Sequence, residues 1–296
     1  MLLEKLFQVL NTPHEQRQKS LDETLAAFPY VNGKLFSERL PIPEFNATMR
    51  RLLVACSRVY WAQISPAIFG AMFQKILELD AKDRRRQLGA HYTSEANILK
   101  VIQPLFLDEL RAEFTRVQRD KNALFAFHKK LSTLHFLDPA CGCGNFLVVT
   151  YRELRRLERD VLLAAKKLGG GVSSVFNALQ VNVDQFHGIE LEEFPAQIAQ
   201  VAMWLVDHQM NIETGRDFGE FFSRIPLTKS ANIRCGNALK LDWEAFVPPE
   251  KLGFIVGNPP FLGKKEQTAA QKADLAALTF NIKGAGVLDY VCGWHL

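Results

Sequence analysis

The sequence is poor in cysteine and has no paired cysteine motif. Its five cysteines are scattered over 296 residues, and none forms a C-x-x-C pair. A disulfide scaffold is therefore excluded, no metal centre is expected, and a reducing cytoplasm is the expected location. Long apolar runs are also lacking, since the most apolar stretch, residues 59–79, is interrupted by glutamine, serine, proline and lysine. We therefore expect a soluble protein without a membrane span or a secretory signal.

A strong excess of one charge is missing as well. Lysine and arginine number 36 and aspartate and glutamate 32, which leaves a net charge of +4. This balance does not by itself indicate nucleic acid, although it is compatible with it. Hydrophobic residues make up 48% and charged residues 23%, a composition typical of soluble globular proteins that excludes extensive disorder. A chain of 296 residues predicts about two domains.

Residues 1–85 predict helices and show no strand pattern. Apolar residues recur at helical spacing from Leu2 to Leu10, and Pro13 ends this segment. A basic run at 82–86 favours a solvated face, with a phosphate contact near a nucleic-acid cleft as the alternative. We interpret 1–85 as a helical connector domain. Its predicted helices cover residues 2–10, 46–63 and 66–79.

Residues 86–296 predict a parallel α/β sheet, because short apolar runs alternate there with longer amphipathic helices such as 194–210. Each of four runs delivers a polar residue at its carboxyl end. Ligands bind at that edge in open α/β sheets. Three glycines at 169–171 predict a flexible insertion between the first two runs. The runs and the polar residues that follow them are 134–137 with Asp138, 186–189 with Glu190, 232–235 with Asn237, and 254–256 with Asn258.

The strongest motif is D-P-A-C-G-C-G-N-F-L at residues 138–147, between the first run and a predicted helix. Gly142 and Gly144 permit a tight turn and a close approach of a ligand to the backbone. The positive end of the following helix suits a carboxylate. A third glycine and a lysine are both lacking, so a P-loop is excluded and a dinucleotide fingerprint is incomplete. A tight turn without a ligand is the alternative.

The second motif places Glu190 at the end of the second run. A carboxylate at this position can accept hydrogen bonds from both hydroxyls of a ribose. The alternative is an ordinary surface or helix-capping acid.

The third motif is G-N-P-P-F at residues 257–261, directly after the fourth run. Two successive prolines remove two N–H donors and leave nearby carbonyls free to accept. Asn258 adds a side-chain carbonyl, and Phe261 adds a flat apolar face. Such a set fits a planar group that bears an NH₂, the shape of a flipped nucleobase. A rigid turn after a strand is the alternative.

Taken in this order, the motifs resemble those of class I S-adenosylmethionine-dependent DNA methyltransferases that act on an amino group, in the gamma motif order. The adenine-N6 enzymes related to type II restriction–modification systems are the most similar. The resemblance covers about residues 84–296. It implies a catalytic set of Asn258, Pro259, Pro260 and Phe261, and a cofactor set of His91, Tyr92, Thr93, Asp138, Pro139, Ala140, Gly142, Gly144, Asn145, Phe146, Glu190, Asn237 and Ala238.

The fold that the resemblance implies is a Rossmann-like methyltransferase sheet in domain 86–296, preceded by the helical domain. The first four strands, in the order 3-2-1-4, are expected here. The domain is expected to be incomplete at its C-terminus, without the target recognition domain. The fourth strand would then leave an unpaired edge, and we expect disorder near the C-terminus.

One site residue departs from the family pattern. Asn237 stands where many relatives have an aspartate that accepts from the adenine amino group of the cofactor. The carbonyl of Asn237 can still accept, but without charge it should do so less strongly.

The implied function is site-specific transfer of a methyl group from S-adenosylmethionine to N6 of an adenine flipped out of double-stranded DNA. Its setting would be a restriction–modification or phage-defence system, and the reaction needs no metal. Three alternatives remain: an RNA methyltransferase, a protein-glutamine methyltransferase, and a truncated, inactive fragment that binds the cofactor.

Overall fold

The N-terminal part of the described chain is helical. Asp22 and Asn46 each cap the helix that follows them, since their side chains accept hydrogen bonds from backbone N–H groups of its first turn. The computed structural model describes residues 2–31, 36, 42, 44–68, 70–72, 93–170, 174–220 and 230–296. The helices in the N-terminal part are α1 Leu2–Leu10, α2 Glu23–Ala26 and α3 Ala47–Ser57, with 3₁₀ turns at His14–Gln16 and Trp61–Gln63.

From residue 93 onward, helices alternate with four strands. A π-helical turn, Gln103–Leu107, joins α4 to α5 at Pro104, which has no N–H to donate to the regular helical ladder. The elements are α4 Glu95–Ile102, α5 Asp108–Val117, α6 Lys121–Leu131, β1 His135–Asp138, α7 Asn145–Lys167, α8 Val175–Ala178, β2 Phe186–Glu190, α9 Glu193–Phe218, β3 Asn232–Cys235, α10 Trp243–Phe246, β4 Leu252–Ile255 and α11 Ala269–Leu278, with 3₁₀ helices at Val183–Gln185, Ala285–Val287 and Tyr290–His295.

The sheet is parallel in every described pairing and has the strand order β3-β2-β1-β4, which confirms the predicted order 3-2-1-4. Phe136 of β1 pairs with Phe186 of β2 on one side and with Phe254 of β4 on the other. The three rings stack, with centroids 5.1 and 5.4 Å from that of Phe136. Together with the helices on both sides of the sheet, this arrangement confirms the α/β methyltransferase fold.

Each face of the sheet has its own apolar core. The larger core lies on the Phe136 face and joins the strands to helices α4 to α7 and α9. The smaller core contains Leu137 and Ile189, which pack with Trp243 and Phe246 of α10. The two faces therefore alternate along β1, as expected for a strand buried on both sides.

A buried polar network joins α7 to α9. The guanidinium of Arg155 is 2% exposed and lies 2.9 Å from Oδ1 of Asp207. It donates to the hydroxyl of Tyr151 at 2.6 Å and to the side-chain oxygen of Asn211 at 2.8 Å. Glu158, also completely buried, lies 3.3 Å from Nε of Arg155. The network therefore ties together the two longest helices of the described chain.

The connection between the two parts of the chain is direct. The side-chain amide of Gln209 on α9 donates to the carbonyls of Trp61 and Ile64, at 3.0 and 2.7 Å. The predicted boundary at residue 85 lies outside the described residues, so the division into domains 1–85 and 86–296 stays a prediction. No helix in the described ranges is long and apolar enough to cross a membrane.

Several predicted elements differ from the observed ones. The helix predicted over 194–210 runs from Glu193 to Phe218, because its buried face continues beyond residue 210 through Asn211, Thr214 and Gly215. The helix predicted over 46–63 ends at Ser57. Most of the helix predicted over 66–79 lies outside the described residues.

The expectation of disorder near the C-terminus is wrong. Residues 262–296 pack against the loops that follow β1 and β3, and Tyr290 in this segment is only 6% exposed. The predicted open edge is present, since β4 pairs only with β1 among the described strands and Ile255 is 52% exposed.

Candidate active site

The loop that follows β1 is a tight turn that leads straight into α7. Gly142 and Gly144 have φ angles of +54° and +83°, in the left-handed region that glycine adopts without steric cost. A side chain at Gly144 would also lie 3.0 Å from Cβ of Ala199 on α9. The N–H of Cys141 donates to the carbonyl of Ile189 at 3.0 Å and ties the loop to β2. The structure therefore presents a fixed backbone turn at the carboxyl edge of the sheet.

Asp138 lies at the bottom of this turn. Its side chain is 1% exposed, and its Oδ1 accepts a hydrogen bond from the N–H of Ala140 at 3.0 Å. Burial, reinforced by the charge of Glu190, raises the pKa of Asp138 to about 8. A Cβ at Gly257 would collide with Oδ1 of Asp138, so only glycine lets the loop after β4 approach this carboxyl group. Asp138 thus lies where the loops after β1 and β4 meet.

Glu190 lies beside it at the end of β2. Its two oxygens accept hydrogen bonds from the N–H groups of Gly142 and Glu192, at 2.9 and 3.0 Å. Burial also raises the pKa of Glu190. Within the ranges that the structure describes, neither Asp138 nor Glu190 makes an ion pair with a lysine, an arginine or a histidine. The edge therefore holds two carboxyl groups that have backbone donors but no cationic partner in the described part of the chain.

Asn237 follows β3, where the N–H of Gly236 donates to the carbonyl of Glu190 at 2.8 Å. The side-chain oxygen of Asn237 accepts from the N–H of Leu239 at 2.9 Å. Its NH₂ group donates to Oδ2 of Asp274 on α11 at 2.7 Å. Both ends of the amide thus have hydrogen-bond partners within the protein. The N–H of Leu239 already donates to the oxygen that is predicted to accept from an adenine amine.

Asn258 and Phe261 are exposed at the end of β4. The NH₂ group of Asn258 donates to the hydroxyl of Thr93 at 3.2 Å, and the ring of Phe261 is 66% exposed. Pro259 and Pro260 between them are half-buried. Thr93 therefore engages the nitrogen of the Asn258 amide, and the segment presents an amide oxygen and an aromatic face to a ligand from solvent.

Asn145, the first residue of α7, carries an unusual buried oxygen. Its Oδ1 is buried and has no hydrogen-bond partner among the described residues. The backbone of Gly70, from the N-terminal part, lies so close that a Cβ there would collide with the Asn145 amide. Buried polar atoms normally have partners, so this oxygen has capacity for a donor from a ligand.

The remaining predicted residues divide into three groups. Pro139, Ala140 and Ala238 lie in the loops at the same edge, whereas Phe146 is 5% exposed and packs into the larger core. His91 and Tyr92 lie outside the described residues. The structure thus brings Asp138 and Glu190 together and places Asn237 and Asn258 on the neighbouring loops.

Sequence reasoning missed three residues that shape the site. They are Asp274, Gly70 and Trp294, whose indole N–H donates to the carbonyl of Pro139 at 3.2 Å. Each reaches the edge from a distant part of the chain, and none lies in a motif. No local pattern indicated them.

The two cysteines of the turn are not poised as nucleophiles. Burial raises the pKa of Cys141 well above its ordinary value and that of Cys143 to about 12. Both thiols are therefore protonated near neutral pH, and the protonated thiol is a weak nucleophile.

Comparison with known proteins shows the family. Residues 114–296 match the family described as MmeI, DNA-methyltransferase domain. The chain belongs to this family. Residues 1–36 match a second MmeI region, described as the helicase spacer domain, so the MmeI resemblance reaches into the helical N-terminal part as well.

Two individual relatives align with nearly the whole chain. The chain is 37% identical over 297 residues to DNA methyltransferase A of Bacillus subtilis (strain 168), with 99% of the chain aligned. It also matches the solved structure of the type IIL restriction-modification enzyme MmeI in complex with DNA, with 56% identity, 99% of the chain covered and a TM-score of 0.93. The chain spans 33% of the length of the first relative and 39% of the MmeI chain.

Proposed function

We propose that this protein transfers a methyl group from S-adenosylmethionine to the N6 amino group of an adenine flipped out of double-stranded DNA. We further propose that it serves as the modification part of a restriction–modification system in the cytoplasm, and that a target recognition domain outside this chain selects the site. The observation that carries the proposal is the convergence of two loops. The segment of Asn258 to Phe261 meets the turn of Asp138 at Gly257, where only glycine fits.

The residues at the edge fit the cofactor. The carboxyl groups of Asp138 and Glu190 lack a cationic partner among the described residues, and the left-handed turn at Gly142 exposes backbone for close approach. The Oδ1 of Asn145, which has no partner among the described residues, can accept from an ammonium group. We therefore assign the amino-acid part of S-adenosylmethionine to the turn at 138–146, its ribose to Glu190 and its adenine to the Asn237 and Ala238 segment. When bound, this cofactor supplies an electrophilic methyl group on a sulfonium that leaves as a neutral thioether.

The catalytic work of the chain is orientation rather than proton transfer. Since Thr93 holds the NH₂ of Asn258, the amide oxygen is available to accept from the exocyclic amine of the target base. The carbonyl of Pro259 is the second acceptor. Two such hydrogen bonds make the conjugated nitrogen a better nucleophile and aim its lone pair.

Phe261 holds the base that the amide orients. Its ring is 66% exposed and can stack on a base that has left the duplex. Stacking on an aromatic side chain is worth about 1–3 kcal/mol, which offsets part of the few kcal/mol that unstacking costs.

DNA is favoured over RNA or a protein-glutamine acceptor because MmeI was solved in complex with DNA and because a second relative is described as a DNA methyltransferase. The test is transfer of a labelled methyl group to duplex DNA of mixed sequence, to RNA and to protein, followed by digestion of the labelled product. We expect label in DNA, recovered as N6-methyladenine. Label recovered only in RNA or protein, or label in no acceptor although the cofactor binds, would contradict the proposal.

Asn258→Ala is the variant that tests the assigned chemistry. It removes the acceptor for the target amine, and loss of one such group lowers the rate about 10²- to 10³-fold in enzymes. Asn122→Ala, at an exposed asparagine on α6, is the matched control and should transfer label as the unmodified protein does. Full activity of Asn258→Ala would show that the mechanism is wrong.

A further inference from the structure

Asn237 and Asp274 form one hydrogen-bonded unit at the end of β3, although 37 residues separate them. Asp274 lies on α11 and is 9% exposed. Its Oδ2 accepts from the NH₂ of Asn237 at 2.7 Å, and its Oδ1 lies 2.8 Å from Nζ of Lys240. The unit therefore joins a largely buried carboxylate on α11 to the position where the family pattern has an aspartate.

The orientation of the Asn237 amide follows from its partners. Its oxygen accepts from the backbone N–H of Leu239 at 2.9 Å, and its nitrogen faces the carboxylate of Asp274. A carboxylate has about four acceptor positions, of which the contacts of Asp274 occupy two. A charged acceptor also forms stronger hydrogen bonds than an amide oxygen does. At the end of β3, the carboxylate of Asp274 is thus a stronger hydrogen-bond acceptor than the amide oxygen of Asn237.

The surroundings of Asp274 connect it to the cofactor turn. Leu239, Leu262 and Tyr290 form a small apolar cluster beside it, against which Trp294 packs. Trp294 in turn donates to the carbonyl of Pro139, in the turn after β1. α11 and the C-terminal 3₁₀ helix therefore close over the two loops that are proposed to hold the cofactor.

We infer that Asp274 is a specificity-determining residue that supplies the anionic acceptor for the 6-amino group of the cofactor's adenine, with Asn237 as its positioning partner. The inference rests on the proposed function, because it concerns the same cofactor. In the family pattern the carboxylate stands at the end of the third strand, whereas in this chain it is supplied by Asp274 on α11. Position 237 carries an amide, which donates a hydrogen bond to that carboxylate.

The test compares two ligands that differ at one group of the purine. S-adenosylhomocysteine carries a 6-amino group, and S-inosylhomocysteine carries a 6-oxo group that cannot donate to a carboxylate. Calorimetric titration of the full 296-residue chain should show a preference for the 6-amino ligand of about 100-fold or more, since a site built for a donor rejects a ligand without it. Asp274→Asn should weaken binding of the 6-amino ligand about 10- to 100-fold and narrow that preference.

A swap of the two side chains separates recognition from folding. Asn237→Asp alone places two carboxylates at hydrogen-bonding distance, and it should weaken both binding and thermal stability. The double variant Asn237→Asp, Asp274→Asn restores one amide and one carboxylate. It should recover the 6-amino preference to within about threefold of the unmodified protein, because the anionic acceptor then stands at the family position.

Lys240→Met is the matched control, because it removes a 64% exposed partner of Asp274 without touching Asn237. It should change affinity less than about threefold, as expected for an exposed ion pair. An unchanged ratio between the two ligands in Asp274→Asn, or a swap variant that folds yet does not recover it, would overturn the inference alone. If the unmodified protein binds neither ligand, the proposed function and the inference both fail.

Discussion

Buried carboxyl groups in two regions of this protein differ in their hydrogen-bonding and charged partners. In the α7–α9 network, Glu158 receives hydrogen bonds from the N–H groups of Gln180 and Val181, faces the imidazole of His128 at 2.9 Å and lies beside the guanidinium of Arg155. At the carboxyl edge of the sheet, the N–H of Ala140 is the single donor that Asp138 receives from the described residues. The first carboxylate is compensated by cationic and backbone partners, and the second is buried almost without compensation.

This difference in partners distinguishes a carboxyl group that stabilises the fold from a carboxyl group that is available to a ligand. A buried ion needs a counter-ion and hydrogen bonds to offset the free-energy cost of its desolvation. The network supplies both kinds of partner to Glu158 from within the chain. At the edge, burial raises the pKa of Asp138 to about 8, as expected for a carboxyl group with one backbone donor and no cationic partner among the described residues. Strongly perturbed carboxyl groups of this kind cluster at functional sites. The comparison therefore favours the edge, and not the network, as the place where a cationic ligand binds.

The largest expected effect tests the network. Arg155→Met removes the cation that lies between the completely buried Glu158 and the partly exposed Asp207, and it leaves Glu158 buried without that cation. We expect the free energy of unfolding, measured by urea denaturation, to fall by about 3–5 kcal/mol. Arg159→Met is the matched control on the same helix, because Arg159 pairs with the partly exposed Glu213 and should contribute only about 0–1 kcal/mol. Equal losses in the two variants would remove the distinction between buried and surface charge here.

A smaller effect, of a different kind, is expected at the edge. Asp138→Asn keeps the shape of the side chain and removes a carboxyl group that pairs with no cation of the described residues. We expect the affinity for S-adenosylmethionine to fall about 10- to 100-fold in calorimetric titration, as for a charge-assisted contact. The free energy of unfolding at pH 7.5 should not fall, because the asparagine replaces a carboxyl group that is costly to ionise in the folded chain and breaks no ion pair with a described residue. A loss of stability close to that of Arg155→Met would place Asp138 with the structural charges.

The pH dependence of the free energy of unfolding tests the same residue through the titration of its carboxyl group. The ordinary pKa of an aspartate is 3.8, and burial raises that of Asp138 to about 8. Between these values the folded chain holds a proton that the unfolded chain has released, so raising the pH favours unfolding. The contribution of Asp138 is thus fully present below about pH 4 and is lost as the pH rises towards 8. Its limiting slope is about 1.4 kcal/mol per pH unit.

The measurement is urea denaturation at intervals between pH 5 and pH 8. The unmodified protein should lose stability relative to Asp138→Asn as the pH rises. Curves that stay parallel over this range would show that the carboxyl group titrates normally.

Much of the sheet could be predicted from the sequence, because strand patterns are local. The four apolar runs, the polar residues at their ends and the left-handed glycines of the turn all lie within short stretches of chain. Asn237 was recognised as the departure from the family pattern on the same local grounds.

The partners that complete the site could not be predicted in this way. Asp274 reaches Asn237 from a helix 37 residues away, and Trp294 reaches Pro139 across 155 residues. Such contacts depend on how α11 and the C-terminal segment fold back over the sheet, for which hydrophobic periodicity carries no signal. The same holds for Arg155, a charged residue on a helix whose burial follows only from the position of α9.

Hydrogen exchange of the full chain, with and without saturating S-adenosylmethionine, tests the central claim most directly, because it shows both whether the cofactor binds and where. The account predicts added protection in the loops at 139–145, 189–192 and 236–239, with no change in helix α3. It also predicts little change at the middle of α7, where Arg155 and Glu158 are buried away from the carboxyl edge and paired with each other. Protection confined to the network helices, or no added protection at the carboxyl edge of the sheet, would contradict it.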